Sequence, residues 1–474
     1  RAMADGGMRD HIGGGFHRYS VDAEWRVPHF EKMLYDQAQL VLAFAEAAQA
    51  SGDPWYSGVA QDTLRYVIRE MTDDVGGFHT AEDADSVPPE DPSGAEKKEG
   101  AFYLWTDVEL DTLLGEDARI VKLRFGILPD GNAPHDPQQE FTGKNLLYIA
   151  RSIDEIAKEI GKPAGDVQDI LARARLRMFE ARLGRPRPHR DDKVLTAWNG
   201  LMIAAFARMA RAGSPFSGAG DAETFRDAAV HAASFLHDRM WDSASRTLLR
   251  RYRDGQAEIA GYAEDYAYLI FGLLELFQAT TDLRWFDWAV DLQHRQDELF
   301  WDEQAGGWFS TDGRDPTVLL RMKEEYDGAE PSPNSVAVFN LLWLSHLVEN
   351  AEWTSRAERT LKLFGARLEQ LGRAVPMMSA ALSTAVAGVQ QVVIVDNGSD
   401  PSALSSTVAS RYLPFAIVLR TSADERRALA DRLPFLSAML PVDGQPAAYV
   451  CRDFACRRPV TDGDALLEEL GMRA

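Results

Sequence analysis

LTAWNGLMIAAFARMAR (195–211) decides the fold class of this chain. Nearly every position is apolar or small, on all faces of the helix the pattern implies, and a helix apolar all round is a buried one. YAYLIFGLLELF (266–277) and SVAVFNLLWLSHLV (335–348) repeat the pattern. Between these stand helices with one polar face: WYSGVAQDTLRYVIREM (55–71), ETFRDAAVHAASFLHDRM (223–240), RWFDWAVDLQHRQDELF (284–300) and residues 353–370. Most of the amphipathic helices lead into a Gly and aromatic segment with the look of a short hairpin, as in GGFHTAED (76–83), TLLRRYRDG (247–255) and GGWFSTDG (306–313).

The buried helices recur roughly every seventy residues, long for a solenoid repeat but natural for a helical hairpin plus loop. Earlier units fit at 28–46 and at 106–125, the latter followed by one long helix near 152–183. Alternation of buried and amphipathic helices predicts a mainly α chain, an (α/α)6 toroid with buried helices inside. SVPPEDPSGAEKKE (86–99) and LPDGNAPHDPQQEFTGK (128–144) read as surface loops. After residue 388 strand-like runs appear, QQVVIVD (390–396), FAIVLR (415–420) and AAYVC (447–451). The expected division is a toroid over 1–388 and a small α/β region over 389–474.

The chain has 474 residues and a net charge of −22, which disfavours a nucleic-acid backbone or an anionic membrane as partner. No apolar run is long enough to span a membrane. The two cysteines, Cys451 and Cys456, are too few for a disulfide framework and fit a reducing cytoplasm. Their spacing lacks the second ligand pair of a zinc site. The polar run His79, Glu82, Asp83 and Asp85 reads as a solvated turn sooner than as an acidic metal site, and no metal or cofactor is expected. RAMADGG at the start reads as the tail of a helix already under way, so a preceding segment is expected.

Polar clusters stand where the buried helices begin. A helix starting at Pro28 would place His29, Lys32 and Asp36 on one stripe, with Lys32 and Asp36 in pairing range. His17, Arg18 and Tyr19 lie just upstream, and Glu31 is in the same motif. HRDDK (189–193) precedes 195–211, bringing His189, Arg190, Asp191 and Lys193. Asp191 or Asp192 can cap that helix, and Trp198, Asn199 and Gly200 lie within it. Gly200 in mid-helix implies close backbone packing or ligand approach. Glu264 and Asp265 open the next buried helix among tyrosines, a pair suited to acid and base roles. Asp327 precedes the third, for which Asn334 or Ser335 is the expected N-cap. Parallel inner helices would bring these clusters to one rim. Helix-end charge and capping explain part of every cluster.

GGGFHRYSVD, W-x-VPHFEKMLYDQA, GGFHTAEDADS, RPHRDDKVLTAWNGLM and DGAEPSPNSVA resemble the YyaL-like, spermatogenesis-associated protein 20-like family of thioredoxin-domain proteins, over nearly the whole chain. The resemblance implies a thioredoxin-like domain followed by a six-hairpin toroid similar to N-acylglucosamine 2-epimerases, cellobiose epimerases and six-hairpin glycosidases. This sequence lacks the thioredoxin-like part and the first inner helix. It also has no C-x-x-C, so thiol–disulfide chemistry does not carry over. The expected partner within the full-length protein is that domain; the expected ligand is a small carbohydrate.

Three functions follow as expectations. Epimerase-type chemistry needs two bases about a carbon next to a carbonyl, for which His29 and His189 are the candidates, with Arg18, Arg190 or Lys193 polarising the oxygen. Glycoside hydrolysis needs two carboxylates, which Asp36, Asp191 and Asp265 offer. A non-catalytic module would keep the pocket alone. Isomerisation is favoured, because the histidines lie in the most distinctive motifs. His17, Tyr19, Glu31, Lys32, Trp198, Asn199, Glu264 and Asp327 complete the expected site.

Overall fold

In the computed structural model of the protein, residues 1–94, 96–134, 141–216, 219–396, 402–452 and 454–472 are described. The expected loops 86–99 and 128–144 therefore lie partly outside the described residues. In chain order the helices are α1 (Ala2–Asp5), α2 (Leu34–Ser51), α3 (Pro54–Glu70), α4 (Asp107–Leu114), α5 (Ala118–Phe125), α6 (Ile153–Ile160), α7 (Ala164–Leu183), α8 (Thr196–Phe216) and α9 (Ala219–Met240). They continue as α10 (Ala263–Thr280), α11 (Leu283–Phe300), α12 (Pro333–Val348), α13 (Ala351–Leu363), α14 (Gly365–Leu371), α15 (Pro376–Ala387), α16 (Ala403–Ala409), α17 (Ala423–Ala430) and α18 (Gly463–Glu469). The fold class is mainly α, as expected, and built on helical hairpins. By contacts the chain forms two compact units, residues 1–37, 62–72 and 79–192, and residues 38–61, 73–78 and 193–474.

In the second unit α8–α9, α10–α11 and α12–α13 pack as hairpins, and α8, α10 and α12 pack side by side. Almost every side chain of α10 and α12 is buried, whereas α11 and α13 bury one face. Gly200 explains the closeness of α8 and α10. A Cβ there would lie 2.5 Å from the Tyr268 carbonyl carbon, and one at Gly272 would lie 2.3 Å from the Gly200 oxygen. Close helix packing, rather than ligand approach, therefore accounts for this mid-helix glycine.

The Gly–aromatic hairpins share one device. Asn199 accepts from Phe78 N at 2.8 Å and donates to Phe78 O at 3.0 Å. Asn334 does the same to Trp308, at 2.7 and 3.0 Å. In the first unit Gln37 grips Phe16 N at 2.7 Å and Phe16 O at 2.8 Å. A helix amide thus clasps both polar groups of one peptide-bearing residue that would otherwise be buried without partners.

The strand-like C-terminal runs form a four-stranded sheet in the order Ala416–Ser422, Gln390–Asp396, Ala447–Arg452, Ala455–Cys456. The first two strands are parallel and the other pairs antiparallel. Val392, Ile394, Val418, Val450 and Leu466 fill its core. Cys451 and Cys456 stand opposite one another in register and are joined as a disulfide.

The first unit holds the other departures. No helix starts at Pro28. Pro28–His29 pairs with Tyr19–Ser20, and Lys32–Met33 pairs with Ala81–Glu82, so α2 begins only at Leu34. Strand pairing across distant sequence outweighs local helix preference here. The long helix expected near 152–183 is two, because Gly161 ends α6 in the left-handed region at φ 73° and Pro163 precedes α7.

Candidate functional site

An acidic cluster with aromatic walls lies at the N-terminal ends of α8, α10 and α12 in the second unit. The hairpin Thr247–Arg253/Gln256–Ala260 leads into α10 and carries Arg250. Its Nη1 lies 2.5 Å from Glu264 Oε1 and 2.9 Å from Asp265 Oδ2, and the guanidinium sits 4.7 Å over the Tyr262 ring. Asp265 is fully buried; it accepts from Ala197 N at 3.1 Å and Tyr262 N at 2.8 Å. Burial pushes its pKa up to about 6, with Arg250 opposing and Glu264 adding to the rise.

The loop before α12 supplies the third acid. Glu330 accepts from the Trp198 indole N–H at 2.7 Å. Burial and then Glu264 raise its pKa to about 7, against the indole hydrogen bond. Glu324 is raised in the same direction by desolvation and Glu264. Tyr268 donates its hydroxyl to the Pro331 carbonyl and holds the loop to α10. A cavity of about 1530 Å³ in this unit is lined by Leu201, Glu46, Arg208, Phe339, Trp343 and Arg420, and Trp198, Tyr262, Glu264, Asp265 and Glu330 are not part of its lining.

Of the expected residues, Trp198, Glu264 and Asp265 meet here. Asn199 and Asp327 lie nearby in sequence but have structural work. Asn199 is fully buried in its clasp on Phe78. Asp327 Oδ1 accepts from Ser332 N and Ser335 Oγ, and its Oδ2 accepts from Met377 N and Met378 N, so it staples the loop to α12 and α15. The N-cap of α12 is Ser332, not Asn334 or Ser335, because Pro333 takes the first helical position. Lys193 is half-buried ahead of the strand Val194–Leu195. Arg250, Glu324 and Glu330 were not expected. The one signal for Glu330 was its place in DGAEPSPNS, just before a buried helix.

The first unit gathers the remaining expected residues into two settings. Lys32 is 1% exposed and donates to Asp10 Oδ2 at 2.9 Å and Gly14 O at 3.0 Å, under the Tyr66 ring. It therefore pairs with Asp10 and not with Asp36, since Lys32 lies on a strand outside α2. Arg182 grips both Asp10 oxygens at 2.8 Å, and Tyr66 donates to Glu82. Burial pushes Asp10 up, but Arg182 and Lys32 outweigh it and hold the carboxyl well below its usual range. His17 is buried with Nδ1 2.9 Å from Phe30 O, and burial followed by the Lys32 charge lowers its pKa to about 3.

The second setting is open. His29 Nδ1 lies 2.7 Å from Glu99 Oε1 and its ring stacks on Tyr19 at 4.9 Å. Arg18 bonds Glu31 at 2.9 Å and Tyr35 at 3.2 Å. Asp36 is half-buried in the first turn of α2. His189 is exposed, and its carbonyl accepts from Asp83 N. Arg190 and Asp191 form a short strand paired with Ala81–Glu82. Among the described residues no group of three or more His, Cys, Asp or Glu is arranged to hold a metal ion. None of the helices there is long and apolar enough to cross a membrane.

No family model matches the chain. Spermatogenesis-associated protein 20 of Homo sapiens is 39% identical over 98% of this chain, and that of Mus musculus 37% over 98%. The chain is a homologue of spermatogenesis-associated protein 20. It spans 60% of the length of those relatives. Among solved structures it is similar to cellobiose 2-epimerase from Bacillus thermoamylovorans B4167, at 9% identity and a TM-score of 0.44, covering 75% of this chain and 66% of that one. It is also similar to a D-mannose isomerase, at 11% identity and a TM-score of 0.42, covering 78% and 68%.

Proposed function

We propose that the Trp198–Glu264–Glu330 rim binds a carbohydrate and works on it by acid–base chemistry. The observation that carries this reading is Glu330, a partly buried carboxyl raised to about 7 beside an indole N–H. Such a group holds its proton about half the time at neutral pH, which suits both giving and taking one. Glu264 stands in a different setting, against the Arg250 guanidinium. Two carboxyls in contrasting surroundings are what separate acid and base roles require. Trp198 and Tyr262 offer flat faces to a sugar ring. Asp265 and Arg250 act as positioning residues that fix Glu264.

Isomerisation next to a carbonyl is the favoured reaction, with glycoside hydrolysis as the alternative the same carboxyls serve. A second reading rests on His29, whose imidazole is oriented by Glu99 and covered by Tyr19, as a base is held for proton abstraction. With His189 it supplies the two bases of an epimerase. The test is incubation with aldoses in deuterated water, read at C2, beside a panel of glycosides. Glu330→Gln is expected to abolish whichever activity is found. Activity lost in His29→Ala but kept in Glu330→Gln transfers the chemistry to His29; no exchange and no hydrolysis refutes both.

A further inference from the structure

Apolar side chains crowd the surface beside the acidic cluster. Leu319, Leu320, Met322 and Tyr326 are 98, 71, 59 and 63% exposed within one short strap of chain. Large apolar side chains gathered in the open mark a surface that meets something. The strap is fastened from beneath. Arg321 donates to Thr311 O at 2.8 Å and lies 4.2 Å over the Phe309 ring. Lys323 donates to Asp302 and to Gly306 O, at 2.6 Å each, and Met322 O accepts from Ser310 N at 2.8 Å. Their neighbours Leu320 and Met322 are held outward as a result.

Met322 is two residues from Glu324, no more than about 7 Å of chain. Glu324 Oε1 accepts from Ser310 Oγ at 3.4 Å, and Ser310 O accepts from Ala263 N at the start of α10 at 3.1 Å, so the strap borders the acidic floor. On the α10 side, Tyr262 is 40% and Ile259 48% exposed. Ile259 has a φ of 66°, a strained placement for a β-branched residue of the kind that collects at ligand sites. An entirely apolar partner face would bury Glu324 without a cation, at a cost. A ligand polar at one end and apolar at the other satisfies both surfaces.

We infer that the rim takes a soluble sugar joined to an alkyl or aryl group, the sugar against Trp198, Glu264 and Glu330 and the apolar group against Leu320, Met322 and Tyr326. This rests on the carbohydrate reading above. Titration calorimetry with methyl and octyl glycosides of glucose and mannose, below micelle-forming concentrations, tests it, with octanol as a third ligand. The octyl glycoside of the preferred sugar is expected to bind about tenfold tighter than the methyl one, or more. In the triple variant Leu320→Ser, Met322→Ser, Tyr326→Ser, checked for fold by circular dichroism, that ratio is expected to collapse. Equal binding of methyl and octyl glycosides overturns the apolar seat and leaves the sugar reading standing. A ratio that survives the triple variant overturns its placement. Octanol binding as tightly as octyl glycoside, with no methyl glycoside bound, overturns the sugar reading and this inference with it.

Discussion

Lys32 and Glu330 are both ionisable side chains drawn out of water, one in each unit, and the chain treats them in opposite ways. Lys32 sits opposite Asp10, which Arg182 also grips, with Tyr66 and Tyr103 rings over the ammonium. Glu330, by contrast, has an indole N–H where Asp10 has two cations, and a like charge in Glu264. The first arrangement answers burial by closing a network; the second leaves a proton poised. Charged motifs of similar appearance in sequence thus serve stability in one unit and candidate chemistry in the other.

The largest expected effect tests the closed network. Lys32→Met leaves Asp10 and Glu82 without their ammonium, and breaking a buried pair costs about 3–5 kcal/mol. Urea denaturation measures it, and a loss below about 1 kcal/mol would place the pair among solvated ones. Next comes the pH dependence that separates the two clusters. Folded Glu330 keeps a proton to about pH 7 that the unfolded chain releases near its ordinary value of 4.5, so its contribution to stability falls as pH rises through that window. Asp10, lowered in the folded state, contributes above its unfolded value of 3.8, and that contribution is lost in acid. Glu330→Gln should therefore make the fall in stability between pH 4.5 and 7 less steep, the remainder coming from Asp265; an unchanged slope there removes the raised carboxyl. The smallest effect comes from Trp198→Phe. Losing the indole N–H removes a bond that favours the carboxylate, so the Glu330 pKa should move further up, read from the carbon-13 shift of its labelled carboxyl. A downward move would reverse the role given to Trp198.

Helices apolar on every face made the hairpin fold legible, because nothing but burial explains α10 or α12. The segment 28–33 was not legible, since its strands form with residues 19–20 and 81–82 and local periodicity carries no trace of them. Glu264 and Asp265 could be read from their place at a helix start. Glu330 could not, because a carboxylate in a Pro- and Ser-rich loop looks solvated and its environment is made by Trp198, 132 positions away. Cys451 and Cys456 became partners only through strand register.

The amide clasps on Phe16, Phe78 and Trp308 grip their hairpins at main-chain atoms. The grip itself makes no demand on the side chain of the residue it holds. Holding and carrying are thereby separate tasks: residues at the hairpin tips can be exchanged over time without loosening the helices, so the rim is free to drift toward new ligands on an unchanged frame.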